Sequence, residues 1–337
     1  MNWFEKLTGF SETDYSETKS KLRVDGSQLQ SLVNGKSYEI GTLELVQLKT
    51  LRDRVNQFGG VPGQLKLRLV RGDVRKIHQL PENAGALFQV ASQFNLLEMV
   101  APSITPEHGV GRYEGDPTQG PACAIAAGAA TIYRNYFTEV EGVEGQTKER
   151  QLNGLTDIGN AVSEAIGCSS SDLWNMRNGY AICNKVALRN ITAYLDSLSP
   201  VQMSSLGGKL RIGLHSDVEV TDADVPIRSK VSQAFCSALP VAYCQIPTKE
   251  WNSFASLVLQ AAYEATMWAG VLNAKRGVSN VVFLTRLGGG AFGNDDSWID
   301  LAIRNALQMA VHEDLDVRIV SYGVPSSSLI QMIEGFQ

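Results

Sequence analysis

The sequence predicts an α/β fold, on three observations. The segment LKLRLV (65–70) alternates apolar and polar residues with a period of two, as a half-buried strand does. Two further apolar runs, PVAYCQI (240–246) and VVFLTRL (281–287), flank a helix-like stretch from about Trp251 to Ala274, which makes a βαβ unit. A helical segment from about Ser297 to His312 then leads into VRIVSYG, so the last third reads strand, helix, strand, helix, strand.

Taken in order, residues 1 to about 36 are polar and weakly periodic, which suits an arm outside the core. Thr42 is placed to cap a helix carrying Leu43, Val46, Leu51 and Val55, stopped by Gly59-Gly60. After LKLRLV, Arg71-Gly72-Asp73 turns the chain into a loop through VRKIHQL, and Ala86–Ala91 is a second short strand. A loop of about twenty residues follows, longer than a plain connection needs, and ends in GDPTQGP before the small-residue helix ACAIAAGAATIYRNYF. Residues 140–200 are mainly helical, with Leu188, Ile191 and Leu195 at core spacing and Pro200 as a stop, and LRIGLH (210–215) is a further strand. The expected organisation is an N-terminal arm and helical extension over 1–60, then an α/β domain over 61–337 with a mainly helical insertion at about 136–235.

Composition limits the function. With 337 residues, 44% apolar and 19% charged, the chain can bury a sizeable core. Its net charge of −5 argues against general nucleic-acid binding, which depends on clustered Lys and Arg. Cys123, Cys168, Cys183, Cys236 and Cys244 contain no CxxC pair, and His78, His108, His215 and His312 have no ligand spacing, so neither a disulfide framework nor a metal site is expected. The N-terminus does not read as a secretory signal, and Phe254–Leu272 carries Gln260 and Glu264, as a buried helix does and a membrane span does not. A cytoplasmic protein without membrane or nucleic-acid partners is the expectation.

The strongest motif is VVFLTRLGGGAFGNDDSW, in which a strand ends in Gly288, Gly289, Gly290 and Gly293 just before a helix start. Glycines let backbone amides approach a phosphate, and the helix N-terminus favours negative charge. A ligand-free strand-to-helix turn is the plain alternative. Gly288, Gly290 and Gly293 also fit GxGxxG, but a dinucleotide fingerprint opens its domain and needs an acidic residue ending the next strand, where this chain has Ser321 and Tyr322. Without GxxxxGK[ST], GxSxG or HExxH, those chemistries have no motif here.

Three segments resemble the macrodomains, a family that binds ADP-ribose and in several branches cleaves it from proteins or polymers. LRLVRGDV is similar to the first-strand motif whose Asp recognises the adenine amino group. LFQVASQFNLL is similar to the strand that leads to an Asn beside the distal ribose. FLTRLGGGAFGNDD is similar to the second phosphate loop, particularly in the poly(ADP-ribose) glycohydrolase branch. The resemblance implies a three-layer α/β/α mixed sheet and an ADP-ribosyl hydrolase acting on ADP-ribosylated protein by water attack at the distal-ribose anomeric carbon, with no cofactor. It implies ligand contacts from Asp73, Val74, Asn95, Gly120, the Gly288, Gly289, Gly290, Ala291, Phe292 and Gly293 loop, and Tyr322. A non-catalytic reader of ADP-ribose is the first alternative, and another nucleotide enzyme using the GxGxxG-like loop the second. The chain has Val90-Ala91-Ser92-Gln93 where the family has Asn-Ala-Ala-Asn, and it lacks the paired glutamates of the glycohydrolase branch.

Glycoside hydrolysis passes through an oxocarbenium-like state, so a carboxylate near the loops is wanted. Asp116, in the Gly- and Pro-bounded loop EGDPTQGP, and Asp295, after the glycine loop, are the catalytic candidates. Asp116 reads equally as an Asx-turn or cap residue. Asp296 or Ser297 is the expected helix cap, leaving Asp295 the freer acid. Glu98 and Glu114 are weaker candidates, lying in no motif. Asp73 reads alternatively as a turn or cap residue, and Tyr322 as a core aromatic.

Overall fold

In the computed structural model, which describes residues 1–336, seven strands form one mixed sheet: β1 (Thr42–Gln47), β2 (Lys66–Arg71), β3 (Leu87–Ala91), β4 (Arg211–Glu219), β5 (Lys230–Cys236), β6 (Val281–Leu284) and β7 (Asp316–Ser321). Their order is β1-β4-β5-β3-β6-β7-β2. Strand β4 is antiparallel to both its neighbours, whereas β5, β3, β6, β7 and β2 run parallel, in register through pairs such as Phe235 with Val90 and Phe283 with Phe88.

Alternation along the strands supplies two buried faces, as a sheet covered on both sides requires. Leu87, Ala234, Cys236, Val282, Leu284, Val317 and Ile319 meet one helical layer. That layer contains α1 (Leu48–Phe58), α5 (Lys185–Asp196), α6 (Asn252–Lys275) and α7 (Asp296–Met309). Phe88, Val90, Val231, Phe235 and Phe283 meet the other, which includes α2 (Val74–Gln79), α3 (Gln119–Ala126) and α4 (Gly128–Tyr136). The class is therefore α/β, with a mixed sheet between helical layers. Helix α6 is apolar nearly all round because it lies in the core, where Thr266 bonds back to Ala262 O and receives the side-chain amide of Gln89 from β3. Among the described residues no helix is long and apolar enough to cross a membrane.

Residues 1–40 add two short helices, Trp3–Thr8 and Tyr15–Ser20, and a three-stranded sheet of Leu22–Asp25, Gln28–Ser31 and Ser37–Glu39. Trp3, Phe4, Leu7, Leu29 and Tyr38 bury a core of their own against α3 and α4, so this segment is more than a polar arm.

Several element expectations are corrected. Thr42 begins β1 and caps nothing; the helix starts only at Leu48, because Leu43 and Leu45 pack with the second face while the strand pairs with β4. VRKIHQ forms α2, capped by Asp73. PVAYCQI is not a strand: Pro240 has no N–H to give a ladder, and residues 241–243 make a single 3-10 turn. The strand that supports this region is β5, KVSQAFC, which together with β4 belongs to the central sheet although both fall largely within the span expected to be a helical insertion. Pro200 does not stop α5, which ends at Asp196; it opens the next helix, Pro200–Gly207, behind a Ser199 capping box.

Candidate functional site

The carboxyl ends of β5, β3 and β6 open into a cleft of about 400 Å³. This is the end of a parallel sheet at which ligands collect. One wall is the glycine loop. Tyr263 of α6 donates to Thr285 O (2.6 Å) and accepts from Leu287 N (2.8 Å), fixing the strand end. Asn294 donates to Leu239 O (2.8 Å), and its own N–H returns to Gly288 O (3.0 Å), closing the loop on itself. Gly288 has φ +75° and a Cβ there would strike Ala238 and Asn294, so glycine is required. Among the described residues the backbone N–H groups of Gly290, Ala291 and Phe292 donate to no protein acceptor, which leaves three donors at the cleft rim.

The opposite wall is built from the segment after β3 and from the loop before α3. Gln93 accepts the Met99 N–H (2.8 Å) and Asn95 accepts that of Leu97 (3.1 Å), around Leu96 at φ +64°. This turn presents Glu98 to the cleft floor. Gln119 accepts from Ala91 N and donates to Gln89 O, both at 2.8 Å, so its amide extends the edge of β3 and draws the start of α3 against it. Gly120 sits so close that a Cβ would collide with Ala91 O and reach within 3.1 Å of Glu98 Cγ.

Glu98 is 2% exposed, and among the described residues neither carboxyl oxygen accepts a hydrogen bond. Its one charged contact is Arg134 of α4, whose Nη2 lies 3.5 Å from Oε2, an ion pair longer than a good hydrogen bond. Arg134 is itself fully buried, donating to Leu96 O and Thr131 Oγ1 and lying over the Phe235 ring at 3.8 Å. Burial pushes Glu98 up to about 7, with Arg134 and the Tyr113 hydroxyl pulling the other way. A carboxylate poised near neutrality in a cleft is suited to moving protons. A third wall is aromatic. The rings of Tyr180, Tyr243 and Phe292 meet at 5.1–5.7 Å, and Tyr180 donates to Met99 O (2.6 Å).

Of the residues expected from the sequence, Asp116, Gly120, Gly288, Gly290, Ala291 and Phe292 line this cleft together. Asp116 also accepts the Thr118 N–H (2.9 Å), as its Asx-turn reading expects. Gly289 and Gly293 hold the loop's shape. Asn95 is not brought to the cleft: it is fully buried and its amide is engaged by Gln151 and Leu97. Asp295 is not the freer acid. It caps α7, accepting Ser297 N (2.8 Å) and Oγ, and those bonds hold its carboxyl below the usual range, whereas Asp296 pairs with Arg286. Asp73 caps α2 through Arg75 N (2.9 Å), with Val74 buried behind it, and Tyr322 stands 84% exposed just beyond β7. These three lie along the carboxyl edge of the sheet, outside the cleft lining. No spacing in the sequence singles out Glu98, because its partner Arg134 is remote in the chain.

The chain is similar to solved poly(ADP-ribose) glycohydrolases. The Deinococcus radiodurans enzyme in complex with ADP-ribose is 12% identical, with a TM-score of 0.44, over 87% of this chain and 93% of that one. The Thermomonospora curvata enzyme is 12% identical with a TM-score of 0.42 over 96% of each chain; bound to the inhibitor ADP-HPD, it is again 12% identical with a TM-score of 0.42, over 95% of this chain and 97% of that one. No protein-family model and no curated protein matches the sequence. Among the described residues no group of His, Cys, Asp and Glu is arranged to hold a metal, and all five cysteines are free thiols.

Proposed function

We propose that this chain binds ADP-ribose and hydrolyses it from modified protein, with Glu98 as the proton-transferring carboxylate. The observation that carries this reading is the position of Glu98: buried, its two carboxyl oxygens without hydrogen-bond partners among the described residues, and lining the same cleft as Gly290, Ala291 and Phe292, whose amides are free. Those amides suit a diphosphate, whose charge they meet without a lysine or a metal. Asp73 and Tyr322, at the carboxyl edge of the sheet, would take the adenine. Asp116 would flank the distal ribose.

With the diphosphate on the loop, the distal ribose reaches the floor. Glu98 takes a proton from water as the water oxygen bonds to the anomeric carbon and the bond to the acceptor side chain breaks; the proton is then passed to the departing side chain. Arg134 keeps Glu98 ionisable in a place where burial alone would hold it protonated. The role assigned to Asp295 from the sequence passes to Glu98, since Asp295 is engaged as a helix cap.

Calorimetric titration with ADP-ribose, followed by release of ADP-ribose from ADP-ribosylated protein, tests the reading. Saturable binding and turnover that Glu98→Gln abolishes without loss of binding is the expected result. Binding with no turnover by the wild type would leave a reader of ADP-ribose, and no binding by the folded protein would discard both.

A further inference from the structure

The N-terminal segment grips the turn that precedes the cleft loop through Glu12 and Trp3. Glu12 lies between the two N-terminal helices and is largely buried against the turn that precedes the cleft loop. Its Oε1 accepts the Val110 N–H (2.9 Å) and the Tyr136 hydroxyl (2.7 Å), and its Oε2 accepts the Gly111 N–H (2.6 Å). Gly109, at φ +78°, has no room for a Cβ beside this carboxylate. Residues 111–115 form a 3-10 turn, and Tyr113 within it places its hydroxyl where it accepts the Glu98 N–H (3.0 Å). At the other end of the turn, Glu114 accepts the Trp3 N–H (3.0 Å) and pairs with Arg75. The turn is therefore held at both ends by the first dozen residues, and it leads directly into Asp116.

We propose that Glu12 is a positioning residue for Glu98: it fixes the 111–115 turn, whose Tyr113 hydroxyl sets the backbone of the cleft-floor carboxylate, so that the site is incomplete without the N-terminal segment. This rests on the reading of Glu98 given above. The physical argument is that a carboxylate accepting three hydrogen bonds, two of them from consecutive backbone amides, fixes both the height and the rotation of the turn, which a packed side chain alone does not. Burial pushes the Glu12 carboxyl up, while its three donors and the nearby Arg112 pull it down.

The test uses the full chain and two readouts. In Glu12→Ala, amide exchange at Glu98 is expected to accelerate about tenfold or more, because the Tyr113 acceptor moves away, while the β6 amides keep wild-type protection. With ADP-ribosylated protein as substrate, kcat is expected to fall about tenfold to a hundredfold and KM to change less than about twofold, since the glycine loop is untouched. Glu12→Gln, which accepts fewer hydrogen bonds, and Tyr136→Phe, which removes one donor, are expected to give smaller changes in the same direction, and they stand in if Glu12→Ala does not fold. Wild-type protection at Glu98 in a folded Glu12→Ala protein overturns the inference. A wild-type protein that binds no ADP-ribose overturns the functional reading instead, and the exchange result still decides whether Glu12 sets Glu98.

Discussion

The glycine-loop wall and the floor of the cleft are built on different principles. The glycine loop is local: Gly288–Asn294 follow the end of β6 at Leu284 after three residues and are fixed by Tyr263, Asn294 and Leu239. The floor is assembled from afar, with Glu98 after β3, Arg134 on α4, Tyr113 in a 3-10 turn and Glu12 near the N-terminus. A wall made of backbone donors is written in consecutive residues, because glycines and a helix start are enough to make it. A floor made of one titratable group depends on whichever chain segments surround that group.

Glu98→Gln strikes the floor hardest. Turnover is expected to fall by about 10²–10⁴-fold with ADP-ribose binding retained, as measured by product release beside calorimetry. Gly290→Glu strikes the wall instead. A Cβ at this position meets nothing within 4 Å, so the melting temperature is expected to stay put while the new carboxylate opposes the diphosphate and abolishes binding. If both variants lost binding alike, the division between wall and floor would be wrong.

Arg134→Met tests what surrounds the floor carboxylate. Removing one member of a buried pair is expected to cost about 3–5 kcal/mol in denaturant unfolding and to move the activity profile toward higher pH, because Glu98 loses its cationic neighbour. In the wild type, activity that needs the Glu98 carboxylate is expected to rise through about pH 7. Stability runs the other way. Folded Glu98 keeps its proton up to about 7 whereas an unfolded glutamate releases it near 4.5, so between those values the unfolded state binds fewer protons and stability falls as pH rises, by up to about 3 kcal/mol. Glu98→Gln should flatten that slope. Asp295→Ala is the smallest change: loss of a helix cap, about 1 kcal/mol in thermal unfolding, with turnover within about twofold of wild type. A collapse of turnover in that variant would return Asp295 to the chemistry.

What was legible in the sequence follows the same division. β2 is legible from its period-two alternation, β3, β6 and β7 as short apolar runs and β4 through LRIGLH, and α6 because it is long and unbroken. β5 was missed: Ser232 and Gln233 interrupt its apolar pattern, and only in the sheet do they become buried neighbours of β3 and α2, with Gln233 donating to Cys123 O. PVAYCQI has the apolar composition of a strand, yet Pro240 offers no N–H to a ladder and residues 241–243 close into a 3-10 turn that buries only Val241. Asp116 and the glycine loop line one cleft, a juxtaposition that the macrodomain resemblance implies and that neither turn announces by itself. The assignment of Asn95 to the ribose failed because the same residue builds the bend that delivers Glu98.

The strand order also governs when a site of this kind comes into being. β3, which leads into Glu98, is paired only with β5 and β6, and neither neighbour is adjacent to it in the chain. During synthesis Leu87, Phe88 and Val90 must wait for residues 230–236 to leave the ribosome before one edge is covered, and for residues 281–284 before the other is. A fragment ending before β5 would carry an apolar strand with both edges bare, the kind of segment that pairs with copies of itself. Such fragments are expected to need chaperone protection, and the completed C-terminal third supplies both the glycine-loop wall and the covering for the edges of β3.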